Sequence, residues 1–255
     1  TNVTNMNSMF LNATSFNQYL GRWVINSSNN ISNMLNNCGM DCLNYSQTLA
    51  GWNTNPLTAN NKNLGALGLG YFNDVINART NLITTKGWVI SGDSPGLCDN
   101  YYVTKWQNTA AINFNCITNG VVPYSWVNIA TGASGTGTFQ STTPGTVTIN
   151  VTLSSTLVLS IEPSKLERFY MGSISLLARL KLVDVAQWGT GKWTSMEDAF
   201  HECENLNITA TDIPDLSLAT STKNMFKFCI NLTGPTNINS WDVSSITDMS
   251  NMFQY

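Results

Sequence analysis

The chain has 255 residues, room for one large domain or two to three smaller ones with a real core. Charged residues make up 11%, less than half the usual share, and the net charge of −3 comes without a basic run, which argues against nucleic-acid binding. The 34 Asn and 30 Thr that fill the gap favour turns, caps and half-exposed strands, so many short elements are expected.

Residues 1–50 open on a repeat. Met6-N-S-Met9-Phe10-L-N-Ala13 matches Ile31-S-N-Met34-Leu35-N-N-Cys38 at a step of 25. Such units cannot bury their apolar face alone and must stack. Residues 51–97 lose the repeat. A turn-rich loop there precedes a predicted helix from Tyr71 to Lys86, whose apolar side is Val75, Ile76, Ala78, Leu82 and Ile83. This segment reads as a cap, followed by a linker at Ser91-G-D-S-P-G. Residues 98–180 read as all-β. Ile112–Cys116, Val122–Trp126 and Thr146–Leu153 alternate with period two, Leu157–Ile161 is a further strand, and a small antiparallel sandwich is expected.

Residues 181–255 return to repeats, with steps of 26 from Phe200 to Phe226 and 27 from Phe226 to Phe253. Trp241 and Val243 alternate with Asp242 and Ser244, as in a short strand. Ile246, Met249, Met252 and Phe253 fall on one helical face, with Ser245 or Thr247 as cap and Asp248 at the helix N-terminus. Each unit is expected to be strand, turn, short helix and return loop. The whole is then α+β: α/β solenoid segments flanking a small antiparallel β-sandwich. The expected repeat core is Met6, Met9, Phe10, Met34, Leu35, Met196, Phe200, Met225, Phe226, Trp241, Val243, Ile246, Met249, Met252 and Phe253.

Val3–Phe10 matches Ile246–Phe253 position for position, and the chain begins at Thr1 without a signal peptide. The expectation is an excerpt of a longer chain whose neighbouring repeats lie on both sides. No stretch approaches the ~20 apolar residues of a membrane span. The six cysteines and the low charge lean toward an oxidising, extracellular setting. Cys38 and Cys42 could close a small disulfide loop, and Cys98 and Cys116 bracket a strand pair. Cys203 and Cys229 fit a disulfide and buried free thiols equally.

The run W-D-V-S-S-I-T-D-M-S-N-M-F at Trp241–Phe253 resembles the BspA-like family of bacterial surface proteins. Ala199–Leu206 and Ala210–Ser217 resemble its opening repeats, and Tyr45–Trp52 and Lys86–Asp93 its recurring closing segment. The run Val24-I-N-S-S-N-N-I departs from the pattern. The resemblance implies a leucine-rich-repeat-like solenoid, display on the bacterial cell surface or secretion (in Bacteroidota often by the type IX system), and roles in adhesion or appendage building. It brings no catalytic motif.

The residues themselves point the same way. His201 and Cys203 would face different sides of a helix, short of the three or four convergent ligands a metal needs. Asp212-I-P-Asp215 reads as turn chemistry, and Glu202 and Glu204 offer no better acid–base pair. Gly132, Gly135 and Gly137 lie in a strand–strand turn, with no helix to complete a phosphate loop. No catalytic residue, cofactor or metal is therefore expected. The expected function is a non-catalytic structural or interaction section of a large surface protein. Its expected partners are neighbouring repeats of the same chain, further copies as a homo-oligomer, and a protein or glycan on a target surface. The alternative is a carbohydrate-binding module using Tyr101, Tyr102, Trp106, Tyr124 and Trp126.

Overall fold

The computed structural model describes residues 3–72, 75–95, 100–129, 131, 133–154 and 156–255. The chain forms two compact units, Thr1–Cys98 and Asp99–Tyr255, each with its own apolar core.

The local conformation of the repeats follows from two recurring side-chain roles. The residue before each rung's apolar segment accepts a hydrogen bond from the backbone N–H two positions on. The five pairs are Asn5 with Asn7 (3.0 Å), Asn30 with Ser32 (3.1 Å), Ser195 with Glu197 (3.1 Å), Ser221 with Lys223 (3.2 Å) and Asp248 with Ser250 (2.8 Å). These are Asx- and Ser-turns. Three residues after each comes a left-handed residue: Ser8, Asn33, Asp198, Asn224 and Asn251, with φ of +53° to +57°. A second left-handed residue follows four positions later in four rungs, at Asn12, Asn37, Glu202 and Phe228.

A left-handed residue every fourth position breaks an α-helix. The segments Met6–Ala13, Ile31–Cys38, Met196–Cys203 and Met249–Phe253 are accordingly successions of three-residue turns. Met9, Leu11 and Ala13 donate to the carbonyls of Met6, Ser8 and Phe10, each three residues back. The expected α+β arrangement of α/β solenoid segments flanking a separate sandwich is thereby corrected. Among the described residues the protein is mostly β, its strands are divided among several sheets, its helices are few, and no helix-and-strand solenoid closes.

In the first unit, α1 (Cys42–Thr54) starts at Asp41, whose carboxylate accepts from the Asn44 N–H. β1 (Asn63–Gly65) and β2 (Gly70–Tyr71) precede α2 (Ile76–Thr84), and β3 (Val89–Ser91) and β4 (Ser94–Pro95) follow it. α2 lies inside the predicted helix range. β1 pairs in parallel with β3, and β2 with β4. The core gathers Ile31, Met34 and Leu35 with Tyr45, Leu49 and Trp52 of α1, and with Leu82 and Trp88.

In the second unit the strands are β5 (Tyr102–Trp106), β6 (Thr109–Thr118), β7 (Val122–Asn128), β8 (Ser134–Phe139), β9 (Gly145–Ser154), β10 (Leu157–Ile161), β11 (Leu166–Tyr170), β12 (Leu182–Gln187) and β13 (Asn207–Ile208), with α3 (Leu176–Arg179) between β11 and β12. One sheet has the order β13-β12-β5-β10-β7-β8 and the other β11-β6-β9. The six-stranded sheet is not a sandwich sheet standing apart from the repeats. β12 extends it antiparallel to β5, and β13, a piece of a repeat rung, adds to β12 in parallel. Both sheets and the rungs share one core that runs from Phe114 and Leu159 to Phe200, Phe226 and Trp241. Gly135 and Gly137, expected in a strand–strand turn, instead lie within β8 opposite Trp126 and Tyr124, whose rings cover the bare backbone.

Candidate functional site

The repeat ladder is the most regular feature of both units. Along the first rung, alternate N–H groups leave their own turn and bond to the next rung. Met6, Ser8, Phe10 and Asn12 donate to the carbonyls of Asn30, Ser32, Met34 and Asn36 at 2.8, 3.0, 3.0 and 3.0 Å. The ladder continues where the repeat signature is lost, since Leu35 donates to Gly65, Asn37 to Leu67, Ala66 to Ser91 and Gly68 to Gly92. In the second unit Met196, Asp198, Phe200 and Glu202 donate to Ser221, Lys223, Met225 and Lys227. Thr222, Asn224, Phe226 and Phe228 donate in turn to Asp248, Ser250, Met252 and Gln254. A helix would have spent these donors on its own carbonyls. The rungs spend them on one another, which fixes their register.

Side chains repeat with the backbone. Phe200, Phe226 and Phe253 form a column with ring centroids 5.5 Å apart at each step and interplanar angles of 9° and 18°. Met34, Leu35, Met196, Phe200, Met225, Phe226, Met6 and Trp241 are buried, as the repeat pattern implies. Phe10 is half-buried and stacks on Phe16 at 3.7 Å, and Ile246 and Met252 are half-buried. Met9, Val243, Met249 and Phe253 are exposed, a correction to the expected core. They sit in rungs that have a stacked neighbour on one side only.

Beside the first rung is a pocket of about 590 Å³ lined by Val3, Met6, Met9, Trp23 and Val24, with Arg22 at its wall. It is apolar with one cation, suited to an aliphatic or aromatic side chain and not to acid–base chemistry. Deeper in this unit, Asp93 accepts from Arg79 at 2.6 and 2.7 Å and from the Tyr45 hydroxyl at 2.9 Å. Lys62, buried, donates to the carbonyls of Ser27 and Asn29 at 2.7 and 2.8 Å, and burial lowers its pKa. No periodicity announces these polar ties, because each joins residues 14 to 48 positions apart.

His201 lies in a turn and not on a helix. Its Nδ1 is 3.4 Å from Asp198 and its Nε2 is 3.5 Å from Glu202, and its ring stacks on Phe228. Glu202 is tied to Arg179. Asp212 accepts from the backbone of Trp188 and Gly189, while Asp215 accepts from the Ser217 N–H, so both carboxylates act in the backbone architecture. Among the described residues no cluster of three or more His, Cys, Asp or Glu could hold a metal ion.

Cys42 is disulfide-bonded, whereas Cys38, Cys116, Cys203 and Cys229 are free thiols. The expected Cys38–Cys42 loop does not form. Cys38 ends a rung and faces the core, while Cys42 starts α1. Cys116 is likewise unbridged, and Cys98 lies outside the described residues. Burial pushes the thiols of Cys116 and Cys229 up to about 12 and that of Cys203 well above its ordinary value, so none is a ready nucleophile.

Of the aromatic residues expected as a sugar platform, Tyr102, Trp106 and Trp126 are buried, and Tyr101 and Tyr124 are half-buried. Tyr102 packs against Phe169, Trp188 and Trp193. Alternation along β7 places Tyr124 and Trp126 on one side of the strand without saying whether that side is covered, and Tyr102 and Trp106 lie in β5, which is buried along nearly its whole length.

No described helix is long and apolar enough to cross a membrane. No curated protein matches the chain, nor does any solved structure. The family described as "Mycoplasma protein of unknown function, DUF285" matches residues 1–68 and 171–255, more than half of the chain. Both matched segments carry the rungs that bear the repeat signature, and the stretch between them carries α2 and β2 to β11.

Proposed function

The chain belongs to the DUF285 family, and from that premise we propose that it is a non-catalytic structural and interaction section of a large secreted or cell-surface protein. Within that reading it is akin to the BspA-like surface proteins and contributes to an appendage or adhesin for attachment. The ladder of backbone hydrogen bonds carries the proposal. Rungs joined through main-chain groups tolerate a wide choice of outward side chains. They also repeat each outward position along a column, as Asn12 and Asn37 do through a 3.2 Å amide–amide hydrogen bond. That is a design for presenting a surface many times over rather than for gathering catalytic groups at one point.

Two measurements test it together. Antibody against this section should label intact cells of a bacterium that makes the protein, and deleting the section should lower attachment of those cells to their target surface. Label reached only after lysis, or attachment unchanged by the deletion, would reject the proposal.

A further inference from the structure

We propose that β9 is a docking edge that joins two copies of this chain, strand to strand and antiparallel. β9 ends the sheet β11-β6-β9 and pairs only with β6 among the described residues, so its other edge is open. Open edges of this length are normally guarded by Lys, Pro or a covering loop. Residues 145–152, Gly-Thr-Val-Thr-Ile-Asn-Val-Thr, have no charge and no proline. Val147 and Ile149 are buried, and Val151 is half-buried on the same face. Thr146, Thr148, Asn150 and Thr152 are exposed on the other.

The choice of a second copy rests on the order of these residues. Read outward from Ile149, the strand runs Thr148 and Asn150, then Val147 and Val151, then Thr146 and Thr152. It is nearly the same in both directions. An antiparallel partner of identical sequence, placed on a twofold axis through Ile149, sets Val147 against the partner's Val151. Thr148 then meets the partner's Asn150, and Thr146 the partner's Thr152. Every cross-strand pair is of matched character, apolar on the core face and hydrogen-bonding on the outer face. The product is one continuous sheet, β11-β6-β9-β9-β6-β11, made by a self-complementary contact that closes at two chains. A heterologous peptide would satisfy the open backbone groups but would have no reason to find this symmetry. The contact does not depend on where the protein is displayed.

The test is sedimentation velocity across a concentration series for the 255-residue chain and two double variants. In Thr148→Lys/Asn150→Lys, lysines face lysines across the axis. In Thr148→Glu/Asn150→Lys, each glutamate faces a lysine. Both variants give up the same exposed hydrogen bond from Thr148 to Asn113 (2.8 Å), so far-ultraviolet circular dichroism should be alike. The expected result is a wild-type dimer, about tenfold or more weakening in the lysine–lysine variant, and recovery in the glutamate–lysine variant. A wild-type chain that stays monomeric to about 1 mM overturns the proposal. So does a lysine–lysine variant that dimerises as tightly as wild type, or a glutamate–lysine variant that fails to recover.

Discussion

Asn33 and Asn224 both hold φ at +53°, at the same place in rungs of different units. Asparagine tolerates this region because its short amide can hydrogen-bond locally, whereas a β-branched side chain collides with its own backbone. Asn33→Val is expected to cost about 1–2 kcal/mol in chemical denaturation, while Asn33→Gly should cost little, since Asn33 is exposed. A loss-free valine variant would remove the left-handed residues from the account of the rungs. The Asx-turn carboxylates set the response to acid. Asp215 and Asp242 are held below their ordinary pKa of 3.8 chiefly by the side-chain hydrogen bonds of Ser217 and Ser244, and Asp248 chiefly by the backbone N–H of Ser250. A depressed folded pKa stabilises the protein above the unfolded value and is lost as pH falls through the folded one. Stability is therefore expected to hold at neutral pH and to decline below about pH 4. Asp215→Asn should flatten part of that decline when unfolding is followed against pH.

At the scale of elements, the Phe column gives an internal contrast. Phe226 is 2% exposed between two stacked rings, and Phe226→Ala should cost about 3–5 kcal/mol. Phe253, 49% exposed with one neighbour, should cost far less on the same change. Equal losses in thermal melts would contradict the one-sided stacking. Spacing between rungs is set by small residues. A Cβ on Gly65 would stand 2.5 Å from the Asn33 Cα, so Gly65→Ala must push two rungs apart, at about 1–3 kcal/mol in the same melts. The strands β6, β7 and β9 were legible as period-two alternation, because a half-buried strand writes its burial directly into its pattern, while β10, buried on both faces, was legible as a short apolar run. The rung positions were legible for the same reason. Their conformation was not. An Asx-turn looks like a helix N-cap in sequence, since each places Asp, Asn or Ser two residues before the N–H it receives. Three apolar residues spaced like a helical stripe complete the disguise in Met249, Met252 and Phe253.

For the whole molecule, the cysteines offer a direct check. Peptide mapping without reduction should find Cys42 in a disulfide. Cys38, Cys116, Cys203 and Cys229 should be alkylated only after denaturation, being buried free thiols. Rapid alkylation of the folded protein at any of these four would contradict the two cores. The rungs at Asn63–Gly65 and Val89–Ser91 carry no Met-Phe signature, and only the second, inside Lys86–Asp93, was marked by the resemblance to a closing segment. A rung bonded through its main chain needs only a small residue where two backbones meet, which composition does not advertise. The sequence by itself determined where the repeats recur, most of the side chains that fill their columns, and that β6, β7, β9 and β10 are strands, because repeat spacing and burial pattern are local. Only the tertiary structure decided that the repeats are turns and not helices, and that β12 and β13 extend the sheet of β5. Those outcomes depend on where each backbone N–H finds its acceptor, and along the rungs every second acceptor lies about 25 residues away.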